Sequence, residues 1–308
     1  MMSVAEMLDG TVKESRMIVL KSIVMLMVLC FTCQTHAKGK IYSGLNVYTP
    51  TVVRWDAAIQ NAAFDSITWV WDQGLYDRRH KNKSRDSILM VPASAIPDDI
   101  TLIVWFHGCG GFSQRTFSNR IIPQMERIVS KGHSVAISLP EMPWSVNTQT
   151  KCGRQGKVWR RPGELEKYVE SLKDRLRTWS TIQHGVPLGT VRLVFVGHSA
   201  GGSALSSAAN EGSLCKMKPE SIIWSDASYG HWLDYAWHAC IRNCNTDLYV
   251  LVRKWDKPYR NAERVMKYAL HRSRKARVKY KVLNRKQWSH GKIGNNVFKI
   301  ANLFPPGC

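Results

Sequence analysis

Short apolar runs alternate with longer amphipathic segments from Thr101 onward, and this alternation limits the folds that the chain can adopt. The runs at 101–106 (TLIVWF), 134–138 (SVAIS) and 191–196 (VRLVFV) are typical of strands that are buried on both faces. Residues 162–179 give the clearest helix, because their apolar side chains recur on one face. Strands and helices that alternate at this spacing predict an α/β fold, with a mostly parallel sheet and helices on both faces.

The remaining segments continue the alternation. Strands are predicted at 221–224, 247–252 and 278–283, and helices at 117–131, 261–270 and 295–304. Upstream, two strand-like runs at 67–71 and 87–91 flank the basic segment 77–86, which predicts a hairpin connection. No internal repeat and no Pro/Gly-rich linker interrupts residues 38–308, so we expect a single domain there.

The chain is strongly basic: 44 Lys and Arg stand against 23 Asp and Glu, a formal net charge of +21 over 308 residues. Its hydrophobic fraction of 44% is ordinary for a globular protein and excludes a disordered or collagen-like chain. Basic residues cluster at 78–83, 160–161 and 271–281. Such a charge attracts anionic substrates or surfaces, although a solvated basic surface is the alternative. Since no RNA-recognition, helix-turn-helix or zinc-finger pattern is present, we expect no specific nucleic-acid binding.

The first 37 residues have the pattern of an export signal. An apolar run over 22–33 follows Lys21 and precedes a small-residue cleavage site after Ala37. The run is shorter than the roughly 20 apolar residues that cross a bilayer. Acidic residues before Met17 are unusual in a signal, which suggests that translation starts at Met17. We therefore expect an exported protein, periplasmic or extracellular, that meets a membrane only through this segment if it stays uncleaved.

The cysteine count agrees with export. Outside the signal, six of the eight cysteines remain: Cys109, Cys152, Cys215, Cys240, Cys244 and Cys308. An even number of cysteines in an exported chain predicts disulfide bonds, but the sequence does not choose their pairing.

The segment Gly197-His198-Ser199-Ala200-Gly201-Gly202 directly follows the predicted strand 191–196 and precedes a helical stretch. A nucleophilic serine must protrude at a sharp turn between strand and helix, and glycines two residues before and after it give the room for that turn. This position makes Ser199 the candidate nucleophile.

A second glycine-rich segment, His107-Gly108-Cys109-Gly110-Gly111, directly follows the strand 101–106. Acyl transfer places negative charge on a carbonyl oxygen, and backbone N–H groups aimed at that oxygen lower the barrier. The expected donors of this oxyanion hole are Ala200, which follows the nucleophile, and Cys109 or Gly110. A plain turn or a phosphate loop is the alternative, but neither phosphate-loop signature is present.

The general base should be a histidine late in the chain, and His290 follows the strand 278–283. A carboxylate must hold its imidazole in the right tautomer. Asp256 follows the strand 247–252, and Asp226 follows the strand 221–224. Either lies near the carboxyl edge of the predicted sheet; we favour Asp256 and keep Asp226 as the alternative.

From about Ile100 to the C-terminus, the chain resembles the α/β-hydrolase superfamily. The resemblance lies in three motifs, which occur in the order that the superfamily shows: HGCGG at 107–111, GHSAGG at 197–202 and SHG at 289–291. HGCGG is similar to the oxyanion loops of secreted polyester depolymerases and feruloyl-esterase-like enzymes. The resemblance implies a Ser-His-Asp triad, a covalent acyl-enzyme and neither cofactor nor metal. The sequence thus predicts an exported serine hydrolase that cleaves a small or polymeric ester. The alternatives are an amide or peptide hydrolase and a non-catalytic module that binds anionic polymers.

Overall fold

The computed structural model describes residues 64–70, 86–92, 95–109, 121–140, 156, 158–272 and 275–305. The predicted signal over 1–37, with its suggested start at Met17, and the predicted oxyanion donor Gly110 lie outside these ranges. Contacts divide the chain into Met1–Val47 and Tyr48–Cys308, and every described residue belongs to the second unit.

Within the described part of the chain, eight strands form one sheet in the order β1-β2-β4-β3-β5-β6-β7-β8. The strands are Phe64–Val70 (β1), Asp86–Pro92 (β2), Asp99–Phe106 (β3), Val135–Pro140 (β4), Thr190–His198 (β5), Ser221–Ser225 (β6), Asp247–Arg253 (β7) and Arg277–Leu283 (β8). β2 pairs antiparallel with β1, as the predicted hairpin requires, and it also pairs antiparallel with β4. All pairs from β4 to β8 are parallel. The carboxyl ends of β5, β6, β7 and β8 therefore meet side by side at one edge.

Helices connect the strands. They are Ile122–Val129 (α1), Glu164–His184 (α2), Gly202–Glu211 (α3), Ser213–Lys216 (α4), Trp232–Ala239 (α5), Lys257–Arg272 (α6), His290–Gly294 (α7) and Val297–Ala301 (α8). None of the described helices combines the length and the apolar character that a membrane span requires.

Both faces of the sheet are covered. On one face, residues of α1, α7 and α8 form a buried cluster with Tyr249 and Leu251 of β7. Because side chains alternate along a strand, the buried Leu248 and Val250 point to the other face, where α6 packs on β7 and β8. Every residue of β4 and β6 is buried, as the continuous apolar runs predict. The predicted α/β class, mostly parallel with helices on both faces, is confirmed.

Several helix boundaries differ from the sequence prediction; α6, for example, is predicted at 261–270 but spans Lys257–Arg272. The helix predicted at 162–179 continues to His184 and ends where Gly185 adopts a left-handed backbone, a common helix terminator. The single helix predicted at 295–304 is instead the short α8, which ends at Asn302 with φ of 52°. In both α2 and α8, a single residue with a left-handed backbone determines where the helix ends.

Candidate active site

Ser199 lies between β5 and α3, in the single turn of 3-10 helix Ser199–Gly201. Its φ is 56°, a left-handed backbone that residues with a side chain rarely adopt. The chain therefore changes direction abruptly at this residue, which leaves the Ser199 side chain partly exposed. This is the strained strand-to-helix turn that a nucleophilic serine requires.

The glycine-rich segment after β3 packs directly against this turn. A Cβ atom placed on Gly201 would lie 2.1 Å from the carbonyl oxygen of Phe106, so only glycine fits there. A Cβ on Gly108 would lie 3.1 Å from the Cβ of Ser199 and 3.5 Å from its Oγ. The backbone after β3 thus reaches the immediate surroundings of the Ser199 hydroxyl.

Two of the predicted oxyanion donors are described. Ala200 is buried directly after Ser199, and Cys109 is exposed in the adjoining segment. Cys109 is also disulfide-bonded. Hence the segment that faces Ser199 is covalently tied to another part of the chain.

His290 is the first residue of α7 and pairs with Asp226. Its Nδ1 lies 2.7 Å from Oδ2 of Asp226, whose side chain is 1% exposed, whereas that of His290 is 34% exposed. Because a carboxylate only accepts, Nδ1 carries the proton when the ring is neutral, and Nε2 is left as a free base. Ser289 caps the helix by accepting a hydrogen bond from the backbone N–H of Lys292.

The Asp226 carboxylate is held from several sides. Its Oδ1 accepts a hydrogen bond from the backbone N–H of Arg253 at 3.3 Å, and its own N–H donates to the carbonyl of Leu251 at 2.7 Å. Its φ of 46° turns the chain sharply after β6. The carboxylate is thus fixed between the ends of β6 and β7, with both oxygens bonded.

Asp256, the carboxylate favoured from the sequence, does not meet His290. Its carboxylate pairs with the guanidinium of Arg253 three residues earlier, and both side chains are largely buried. The prediction considered only which strands end near the histidine. The left-handed backbone at Asp226 places its carboxylate against Nδ1 of His290. Asp256 instead pairs with Arg253, within the turn that follows β7.

The residue before Ser199 contacts the imidazole of His290. The rings of His198 and His290 stack with centroids 4.7 Å apart and 27° between their planes. Nδ1 of His198, which is 6% exposed, lies 3.1 Å from the carbonyl oxygen of Ser225. A buried ring that is bonded to the end of β6 therefore supports one face of His290.

Tyr229 is a further residue of the site. Its hydroxyl hydrogen-bonds Ser199, and no hydrogen bond joins Ser199 to His290 in the described part of the chain. Burial raises the pKa of Tyr229, the nearby Asp226 carboxylate raises it further, and the hydrogen bond to Ser199 opposes both. The phenol is therefore neutral at physiological pH. Its ring edge contacts Trp232 at 5.9 Å between centroids.

Sequence reasoning missed three of these residues. His198 lies within the GHSAGG segment but was given no role, and Arg253 and Tyr229 belong to no motif. The only signal for Tyr229 was its position three residues after Asp226, on the turn that leaves β6 at the carboxyl edge of the sheet.

No protein-family model matches the chain, and no curated protein sequence matches it significantly. Among solved structures, the chain is similar to the BES protein from Bacillus cereus, with a TM-score of 0.51 and 13% identity over 79% of this chain and 95% of that one. A ferulic acid esterase matches with a TM-score of 0.48 and 12% identity, over 79% of this chain and 98% of that one. The S-formylglutathione hydrolase from Staphylococcus aureus matches with a TM-score of 0.48 and 11% identity, over 86% of this chain and 99% of that one. The resemblance to α/β-hydrolases is confirmed as a likeness of fold.

Proposed function

We propose that this protein is a serine hydrolase that cleaves carboxylic esters, with Ser199 as nucleophile, His290 as general base and Asp226 as the acid that orients it. One observation carries the proposal: the buried Asp226 carboxylate bonds Nδ1 of an imidazole that stacks on the residue preceding Ser199. Nucleophile, base and orienting acid in this chain order recur in serine hydrolases of several folds.

In the proposed reaction, the Ser199 side chain rotates about its Cα–Cβ bond from Tyr229 toward Nε2 of His290. Catalytic hydrogen bonds are often long or misaligned in free enzymes and tighten in the substrate complex. Ser199 Oγ then attacks the ester carbonyl while Nε2 takes its proton. Asp226 stabilises the imidazolium that forms and keeps its own charge.

The backbone N–H groups of Ala200 and of Cys109 or Gly110 would hold the oxyanion of the tetrahedral intermediate. His290 returns the proton to the departing alcohol, which leaves an acyl group on Ser199. A water molecule, deprotonated by Nε2, attacks the acyl carbon and releases the acid. The sequence of steps needs no cofactor or metal.

Hydrolysis of short nitrophenyl esters by the purified protein tests the proposal. Ser199→Ala should lower kcat/KM by at least about 10⁴-fold, because a triad nucleophile acts as part of a unit. Ser206→Ala, a buried serine of α3, is the matched control and should keep activity within about twofold of wild type. Equal activity of the Ser199→Ala protein would rule out the assignment. Faster turnover of peptide anilides than of matched esters would instead favour an amide hydrolase.

Action outside the cytoplasm is part of the proposal. Cys215 and Cys240 form a disulfide bond, and Cys109 forms another, while the buried Cys244 is free. Disulfide bonds persist mainly in oxidising compartments, which supports the export predicted from residues 1–37. Fractionation of the native host should recover the mature protein outside the cytoplasm, with its N-terminus at residue 38; a cytoplasmic, full-length protein would contradict this.

A further inference from the structure

Helix α6 carries a row of exposed cations on one face. Lys257, Arg260, Arg264 and Lys267 are all exposed and follow one another at intervals of three, four and three residues, which places them on one side of the helix. The opposite side is buried and apolar, with Ala262, Val265, Met266 and Ala269. We call the four cations the basic face.

The basic face destabilises the helix that carries it. Like charges three and four residues apart repel each other, and Lys257 stands at the positive end of the helix dipole, in a first turn without an acidic residue. No ion pair to a carboxylate forms at any of the four within the described ranges. Arg264 instead contacts Nδ1 of His231 at 3.1 Å, and the nearby Glu263 accepts from Tyr259. Among the residues that the structure describes, no carboxylate therefore neutralises the charge of the basic face.

The basic face begins next to the candidate active site. The turn before α6 holds Trp255, which is 63% exposed and has φ of 72°, a rare backbone for a bulky residue. The ammonium of Lys254 lies 4.9 Å from the centre of the indole ring. Arg253 anchors this turn through its ion pair with Asp256 and through its N–H, which donates to Asp226. The turn that joins β7 to the basic face therefore presents an exposed aromatic ring, and Arg253 at the end of β7 bonds the carboxylate that holds His290.

We propose that the basic face and Trp255 bind an acidic polysaccharide that bears ester groups, and that they guide those esters to Ser199. The inference rests on the proposed function and names the substrate class of that same site. From Lys257 to Lys267 the row is about 15 Å long and one side chain wide, which fits a single extended chain of uronate residues. The exposed indole supplies a flat apolar surface on which a sugar ring can stack.

Two other polyanions fit the observations less well. Nucleic acids carry phosphodiesters and lack the carboxylic ester that the proposed reaction consumes. A membrane-surface helix buries an apolar face in the lipid beside its cations, but the apolar side of α6 already packs on β7 and β8. An acidic polysaccharide supplies both the negative charge and the ester.

A pair of double variants with the same change of charge tests the proposal. Arg260→Glu with Lys267→Glu alters the basic face, and the control, Arg242→Glu with Lys299→Glu, reverses two exposed cations outside α6. Binding of a fluorescent, partly methyl-esterified polygalacturonate is measured by anisotropy at low salt. We expect the Kd to rise at least about tenfold for the basic-face variant, and by less than about threefold for the control. Trp255→Ala should also weaken binding while leaving its salt dependence unchanged.

Turnover of a nitrophenyl ester separates this inference from the proposed function. Both double variants should retain the wild-type kcat/KM for that small neutral ester, since no altered residue touches the reacting atoms. Equal binding by wild type and the basic-face variant would overturn the inference, as would equal weakening in the control. Tighter binding of an oligonucleotide or of anionic vesicles through the same face would also overturn it. If the wild type binds polygalacturonate but hydrolyses no ester, the proposed function fails while the binding result stands.

Discussion

The rings of His198 and His290 lie against each other, 4.7 Å apart between centroids. The residue beside the candidate nucleophile thereby supports the candidate base. A Cβ on Gly294 would lie 2.9 Å from the His198 ring, so the ring is confined on that side as well. Since Nδ1 of His198 is also close to the carbonyl of Ser225, the ring has little freedom to turn.

Removing this support should misplace the base. We expect His198→Ala to lower kcat/KM for esters by roughly 10- to 100-fold, because small displacements of a catalytic group cost that much. His198→Phe keeps a flat ring under His290 and should recover most of the loss. Steady-state kinetics on folded proteins, checked by circular dichroism, measure both. If alanine and phenylalanine are equally impaired, the ring stack is not the cause.

The two candidate carboxylates should differ sharply. Asp226→Asn keeps the shape of the side chain but removes the charge that stabilises the imidazolium, so kcat should fall about 10⁴-fold. Asp256→Asn breaks only the ion pair with Arg253 and should lower kcat less than about tenfold. Parallel kcat measurements with one nitrophenyl ester decide between them. A larger loss for Asp256→Asn would restore the assignment favoured from the sequence.

Tyr229→Phe removes the hydroxyl that bonds Ser199 in the resting state. If the phenol also steadies charge on Ser199 Oγ during attack, kcat should fall roughly 10-fold, the cost of one hydrogen bond to a charged group. Burial raises the pKa of Tyr229, so the phenol stays protonated up to at least its ordinary pKa of about 10. Wild type and variant should therefore share the same pH profile between about 7 and 9.

The exposed Tyr235 of α5 provides the control, since Tyr235→Phe should leave kcat unchanged. A Tyr229→Phe protein with wild-type kcat, or with faster turnover, would show that the phenol only holds the resting serine. A loss of activity that appears only above pH 8 would contradict the raised pKa.

Gly201→Ala should damage folding as well as activity. The added methyl would meet the carbonyl oxygen of Phe106 at 2.1 Å, a backbone atom that cannot move aside. We expect the free energy of unfolding to fall by about 3 kcal/mol or more. At Gly212, φ is 98° and an added Cβ would meet no neighbouring side chain or backbone within 4 Å. Alanine should therefore lower the free energy of unfolding by only about 1 kcal/mol there. Urea titration of both variants compares a steric clash with backbone strain alone.

The strand-to-helix turn at Ser199 was predictable because its sequence signals are local. A buried strand, a serine between glycines and a second glycine-rich segment are all written in contiguous residues, and they predicted where Ser199 and the 107–109 segment lie. The partner of His290 was not predictable in the same way. Asp226 and Asp256 both follow neighbouring strands, and a single left-handed residue together with one ion pair separates their surroundings.

The basic face, too, could be predicted only in part from the sequence. Net charge and runs of adjacent cations drew attention to 78–83, 160–161 and 271–281, whereas the four cations of α6 are spread over eleven residues. Their helical spacing is visible in the sequence once the helix is placed. That none of them pairs with a carboxylate in the described ranges depends on tertiary contacts, which the sequence alone does not supply.

Mapping the site of a fluorophosphonate adduct tests the central claim most directly, because the probe reacts much faster with a serine that a base has activated. Wild-type protein is labelled, digested and examined by mass spectrometry, beside Asp226→Asn and His290→Ala. The account predicts one adduct on the peptide that contains Ser199, and much slower labelling in both variants. An adduct on another residue would contradict it, as would labelling of the His290→Ala and Asp226→Asn proteins at the wild-type rate.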